Sequence, residues 1–232
     1  MTTIADTEPP KTVAAQGKRL LMEAALRLAS VSRDLGGVGL RELAREAGLN
    51  PNTFYRHFKT VDDLGLAMIA DLSTRIRQPL RDLRIEAAQR ADQGAAAKLT
   101  FGIDLSRGQR VCQETVELFF AYAAENAQAF IVGVRELHGS SKVLRQALEQ
   151  MMEDFANDMA EDLENLKLLP NLEPAAVRQV SSMISRQLFQ QSLDYIEQVE
   201  RRPAICAQAQ AQILMMFAGA TVLQAVGELK LD

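Results

Sequence analysis

The stretch Leu40-Arg41-Glu42-Leu43-Ala44-Arg45-Glu46-Ala47-Gly48-Leu49-Asn50-Pro51-Asn52-Thr53-Phe54-Tyr55-Arg56-His57-Phe58 decides the fold. Leu40, Leu43, Ala44 and Ala47 recur at helical spacing and predict one short helix. Gly48 suits the left-handed residue that closes such a helix. Asn50 and Pro51 then open a second helix, with Asn as N-cap and Pro at the first helical position. On that helix Phe54 and Phe58 are four residues apart and share an inward face. At about 100° per residue, Asn52 and Arg56 fall opposite them, flanked by Thr53, Tyr55 and His57. The outward face therefore holds hydrogen-bonding groups, a guanidinium and no acid. A DNA major groove requires such a face, with side chains that reach base edges and phosphates and a helix N-terminus with free N–H groups. A merely solvated polar face is the alternative, and the basic surroundings favour nucleic acid.

Upstream, Leu21, Ala24, Ala25 and Leu28 form another helical stripe, ended by the turn Arg33-Asp34-Leu35-Gly36-Gly37. Residues 1–14 are expected to form a disordered tail, because Pro9-Pro10 opposes a helix start. Downstream, Thr60-Val61-Asp62-Asp63 reads as a capping box with Asp in place of Glu. It opens a long helix through Leu64, Met68, Leu72 and Ile76, which Pro79 is expected to kink or end. Further helices are predicted near 107–124, 127–137, 141–166, 174–199 and 204–226, between breakers at Gly94, Gly102, Gly139, Pro170, Pro174 and Pro203. No segment alternates with a two-residue period, so no sheet is predicted. The expected fold class is all-α. It divides into the tail at 1–14, a helix-turn-helix domain at 15–60 and a larger helical domain at 61–232.

Composition narrows the function classes. The chain has 232 residues, 47% hydrophobic and 24% charged, with a net charge of −4, which excludes global disorder. Between Lys11 and Thr60 nine Lys or Arg stand against four acids, so this segment carries +5 and the rest of the chain −9. A basic unit joined to an acidic one points to an anionic partner for the former. Cys112 and Cys206 alone do not make a disulfide scaffold and suit a reducing cytoplasm. The opening MTTIADTEPPK lacks the apolar run of a signal peptide. The longest apolar stretch, Ile213 to Leu223, is about half of a bilayer span. A cytoplasmic protein with no membrane span is the expectation. His57 and His138 lie far apart in sequence, so no metal site is expected. There is also no phosphate-binding glycine loop and no nucleophile elbow. Acid pairs such as Asp62-Asp63 and Glu153-Asp154 read as helix starts and solvated faces. No catalytic residue, no cofactor and no enzymatic activity is expected.

The run LRELAREAGLNPNTFYRHFKTVDDL resembles the DNA-binding signature of the TetR family of bacterial transcriptional repressors, over about residues 18–70. The resemblance implies three N-terminal helices that read double-stranded DNA, and a C-terminal helical domain that binds a ligand and forms a homodimer on a palindromic operator. Carried over by position, Arg41 would approach a base or phosphate, Asn52, Thr53, Tyr55 and Arg56 would face the groove, and His57 and Lys59 the backbone. This chain departs from many members in having Gly39 where a capping Ser or Thr is common, and Val61 where Lys is common. A narrower resemblance joins FYRHFKTVDDLGLAMI with NAQAFIVGVRELHGSSKVLRQAL. These blocks are similar to repressors of unsaturated fatty acid synthesis and desaturase genes, which implies an acyl-CoA or related thioester as ligand. The alternatives are a regulator of an efflux or catabolic operon responding to another apolar molecule, or an acyl-chain carrier that does not bind DNA.

The C-terminal part is rich in Met and Phe, which line adaptable apolar cavities but more often simply fill cores. Phe119, Phe120, Phe130, Val134, Arg135, Met151, Phe155 and Met183 are the candidate ligand-binding residues. Arg135 and His138 could meet a thioester or phosphate; alternatively they complement a helix C-terminus while Ser140 or Ser141 caps the next helix. Val180, Ile184, Leu188, Phe189, Leu193 and Ile196, followed by Ile205, Ile213, Met216, Ala220 and Leu223, give the last two long helices unusually broad apolar surfaces. Ala209 and Gly219 add small residues for close approach. Such breadth predicts a four-helix interface with an identical chain.

Overall fold

The computed structural model describes residues 10–31, 34–92, 99–100 and 103–229. Among them are nine α-helices: α1 (Pro10–Val31), α2 (Leu40–Glu46), α3 (Pro51–His57), α4 (Val61–Asp92), α5 (Leu105–Glu125), α6 (Ala127–Glu136), α7 (Lys142–Asn165), α8 (Pro174–Glu197) and α9 (Arg202–Ala225). Of the expected tail, residues 1–9 lie outside the described residues, as do Arg33 and the breakers Gly94 and Gly102. Pro10 starts α1 instead of blocking it, because a first helical position has no use for the missing N–H. The all-α reading acquires one small addition. β1 (Leu99–Thr100) and β2 (Ile103–Asp104) pair antiparallel, Leu99 with Asp104 and Thr100 with Ile103. Two residues per strand are too few for alternation to show in a sequence.

Pro79 does not end α4, which runs on to Asp92. Proline removes one backbone bond and crowds the preceding turn, at a cost of about 3 kcal/mol. Tertiary partners on both sides offset it: Ile76 and Leu80 are buried, and Arg77 and Arg81 bind acids of α7.

The chain divides into two compact units, one of residues up to Asp71 with 131–148, the other of 72–130 with the residues from Glu149 onward. The sequence placed the division near residue 60 and assigned 131–148 to the larger domain. In the first unit one apolar cluster gathers Leu21, Ala24 and Ala25 of α1, Leu43 of α2, Phe54 of α3, and Leu64 and Met68 of α4, with Val132 and Leu144. The amphipathic stripes read from the sequence are its walls. In the second unit α9 packs against α5 and α8, and α4 and α7 are joined by an ion-pair ladder. Arg77 forms a bidentate pair with Asp158 at 2.6 and 2.8 Å. Arg81 reaches Asp158 at 3.2 Å and Asp162 at 3.0 Å, and Arg84 reaches Asp162 at 2.6 Å. The Asp158 carboxyl is held below its usual pKa: burial opposes ionisation, but the Arg77 hydrogen bonds and the three nearby guanidiniums outweigh it.

Candidate nucleic-acid interface and apolar cavity

Helix α3 is only seven residues long, so its conformation depends on caps and anchors. Asn50 Oδ1 accepts from the Asn52 N–H at 2.9 Å, with Pro51 at the first position. Helix α2 ends as read from the sequence. Gly48 has φ of +67°, its N–H donates to the Arg45 carbonyl, and the Leu49 N–H donates to the Ala44 carbonyl. A Cβ at Gly48 would meet nothing, so the left-handed backbone, not space, calls for glycine. The box at the start of α4 is complete: the Asp63 N–H donates to Thr60 Oγ1 at 3.0 Å, and Asp63 Oδ2 accepts from the Thr60 N–H at 3.1 Å. Gly39, by contrast, provides no side-chain cap for α2.

Phe54 is fully buried and Phe58 nearly so, their ring centroids 5.8 Å apart. Burying each ring stabilises the unit by roughly 1.5–3 kcal/mol and fixes the rotation of α3. Asn52, Tyr55 and Arg56 are left exposed, Thr53 is half-buried, and Arg41 and Lys59 are exposed beside them. Arg41 and Arg56 have no ion-pair or hydrogen-bond partner among the described residues, and neither is spent within the fold. His57 is half-buried, and its Nε2 would lie 2.7 Å from a Cβ at Gly17, so its ring occupies the space that this glycine opens on α1. Lys18 Nζ sits 5.8 Å from the Phe58 ring centroid and adds an exposed cation that the sequence reading did not single out.

The first unit also contains the segment 131–148. Arg135 donates to the carbonyls of Ala29 at 3.3 Å and Ser30 at 2.7 Å, capping the last turn of α1. Glu136 accepts from the Leu35 N–H and is nearly fully buried. Burial raises its pKa, the Leu35 N–H lowers it, and the charges of Asp34 and Asp62 raise it further. Ser141 Oγ accepts from the Leu144 N–H at 3.3 Å, as the capping alternative supposed. Arg135 complements a helix C-terminus, but that of α1 in place of its own. Nothing local in RELHGSS identifies a partner about a hundred residues away in sequence.

In the second unit a narrow cavity with about 30 Å³ of free space is lined by residues of α4, α5, α6, α7 and α8. Of the candidate ligand residues, Phe119, Phe130, Met151 and Phe155 line it. Phe120 does not; it is buried with its ring stacked on Tyr195 at 4.9 Å. Val134 and Arg135 belong to the first unit, and Met183 is 53% exposed. The sequence missed Leu72 and Ile76 as lining residues because it assigned them to the amphipathic stripe of α4, and Leu80 because it lies beyond Pro79. It missed Thr115 and Ser185 because a lone hydroxyl in an apolar helix gives no signal.

The apolar breadth of α8 and α9 resolves into two faces. Val180, Ile184, Leu188 and Phe189, and Ile205, Ala209, Ile213, Phe217 and Ala220, are buried within the unit. The other face of α9 exposes Ala207, Ala211, Met215, Gly219 and Val222, with Val226 exposed just past its end and Met183 on α8. No charged residue occurs from Pro203 to Gly227. The segment Val199–Ala225 is long and apolar enough to cross a bilayer by length and composition alone, while the apolar run counted from the sequence, Ile213 to Leu223, is about half of a span. Gln208, Gln210 and Gln212 interrupt the strictly apolar run in sequence without adding a charge to the helix.

Residues 21–68 match the family of bacterial regulatory proteins known as the tetR family. The whole chain is similar in fold to several solved structures. A putative TetR-family transcriptional regulator from Mesorhizobium loti aligns at TM-score 0.62 and 14% identity, over 91% of this chain and 98% of that one. The fatty acid degradation regulator FadR from Bacillus halodurans aligns at 0.57 and 14%, over 92% and 98%. NalD, the secondary repressor of the MexAB-OprM multidrug efflux pump in Pseudomonas aeruginosa, aligns at 0.55 and 17%, over 88% and 97%. Fold similarity at these identities is equally close to a lipid regulator and to an efflux regulator.

Proposed function

We propose, from the premise that this chain is a TetR-type DNA-binding transcriptional regulator, that it is a homodimeric cytoplasmic repressor whose operator affinity is tuned by a fatty acyl thioester. One observation carries the reading: Phe54 and Phe58 lock α3 so that Asn52, Tyr55 and Arg56 stand exposed on a face without acids. Thr53 and Arg41 complete the base-facing set, and His57 and Lys59 serve the phosphates. A helix with an uncovered, uncharged face needs a partner, and a second copy of α9 provides one of matching chemistry. Twofold symmetry then presents two α3 helices to the halves of a palindromic operator.

The acyl thioester reading is supported by the sequence blocks shared with desaturase-gene repressors and by the Phe- and Met-lined cavity. The ligand shifts the protein between DNA-binding states only by as much as its affinity for those states differs. Genome-wide operator mapping followed by titration at two salt concentrations tests the DNA part. The expected outcome is a palindromic site with affinity that falls steeply with salt. Arg56→Ala should weaken specific binding by about 1–3 kcal/mol while leaving non-specific binding nearly intact. A protein that binds every duplex alike would overturn the reading. Mass spectrometry of co-purifying ligands tests the rest, and a drug-like molecule without any acyl thioester would favour an efflux regulator.

A further inference from the structure

Among the residues that line the cavity of the second unit, Arg84, Thr115 and Ser185 are polar. Two of these are engaged. Arg84 binds Asp162 through Nε at 2.8 Å and Nη2 at 2.6 Å. Ser185 Oγ donates to the Met152 carbonyl at 2.7 Å. The third is not. Thr115 is 8% exposed, and its Oγ1 is buried with no hydrogen-bond partner. Leaving a buried hydroxyl unpaired disfavours the folded state about tenfold or more in equilibrium constant. The Phe, Leu and Met side chains beside it offer that hydroxyl nothing, which leaves an occupant of the cavity to provide its partner.

Resting on the reading of this unit as the ligand-binding body, we infer that the part of the ligand lodged in the cavity is an uncharged alkyl chain carrying a carbonyl or hydroxyl oxygen, which Thr115 meets at Oγ1. A free carboxylate would need a cation, and the guanidinium on the wall is engaged by Asp162. An ammonium would need an acid, and no Asp or Glu lines the cavity among the described residues. A neutral oxygen needs only one hydrogen bond, and Thr115 can donate or accept it. The geometry thus selects a thioester, ester, ketone or alcohol over a free acid or an amine of the same chain length.

Calorimetric titration of the full chain with methyl decanoate, decanol, decane, decanoate and decylammonium tests this directly. The ester or the alcohol should bind about tenfold more tightly than decane, and which of the two does so tells a carbonyl from a hydroxyl. Thr115→Val keeps the shape, removes the hydroxyl and should close that gap, whereas Thr115→Ser should preserve it. The Val variant should melt no lower than the parent, because it deletes an unpaired buried group. A gap that survives in Thr115→Val, a variant that melts lower, or tightest binding by decanoate or decylammonium overturns the inference. Failure of all five probes and of decanoyl-CoA to bind would instead remove the ligand-binding reading on which it rests.

Discussion

Helices α3 and α9 each bury one face and leave the other uncovered, and the two uncovered faces are opposites. That of α3 has seven residues' length, hydrogen-bonding side chains and a guanidinium. That of α9 runs from Pro203 to Ala225 without a charge. Water solvates the first at little cost, so it can wait exposed for DNA. The second loses roughly 25 cal/mol for every Å² left in water and is stable only when covered. The partners proposed for them differ accordingly, reversible and polar for α3 and lasting and apolar for α9.

The comparison breaks most easily on the outer face of α9. Met215→Glu places a charge in the proposed twofold contact, and the chain should sediment as a monomer. Operator affinity should fall by about 10²- to 10⁴-fold, since two linked heads bind with an effective concentration that single heads lack. A dimer that persists in this variant would reassign the face.

On the inner side of α3, Phe54→Ala should cost about 3–5 kcal/mol, read as a lower midpoint in urea. Because Phe54 is fully buried in the first unit, operator binding should be lost along with stability. Ile213→Ala on the inner side of α9 should cost about 2–4 kcal/mol and should leave the operator preference of the surviving dimer unchanged. Together these variants separate anchoring from recognition: inner changes alter melting, outer changes alter partners.

The smallest effect is expected at Glu136, which supports α1 and the turn beyond it. Its folded-state pKa is raised, so folding favours the protonated form. The contribution to stability is fully present below the unfolded value and is lost as pH rises through the folded one. Glu136→Gln keeps an oxygen for the Leu35 N–H and removes the repulsion from Asp34 and Asp62. It should raise stability at pH 7 by up to about 1 kcal/mol, and the gain should vanish in melts below pH 4.

Much of the DNA-binding part was legible because its determinants are local. Asn50, Pro51, Gly48 and the Thr60–Asp63 box act within four residues of where they stand, and each behaves in the structure as its chemistry dictates. The cavity was half legible. Phe119, Phe130, Met151 and Phe155 lie on its wall, but an apolar side chain in a helix bears no mark of whether it faces neighbours or a void. Phe120, one residue from Phe119, turns to Tyr195 instead.

Short-range hydrogen bonds and helical period, which any chain segment feels by itself, determined the all-α class, the helix-turn-helix and the inward pair Phe54 and Phe58. Tertiary packing alone decided that residues 131–148 complete the first unit, that α4 continues past Pro79, and which side of α9 stays uncovered. The reason is physical: those outcomes depend on burial, hydrogen bonds and ion pairs between groups tens of residues apart. Arg135 with Ser30 and Arg77 with Asp158 are such pairs, and their energies exist only once the chain has brought the partners together.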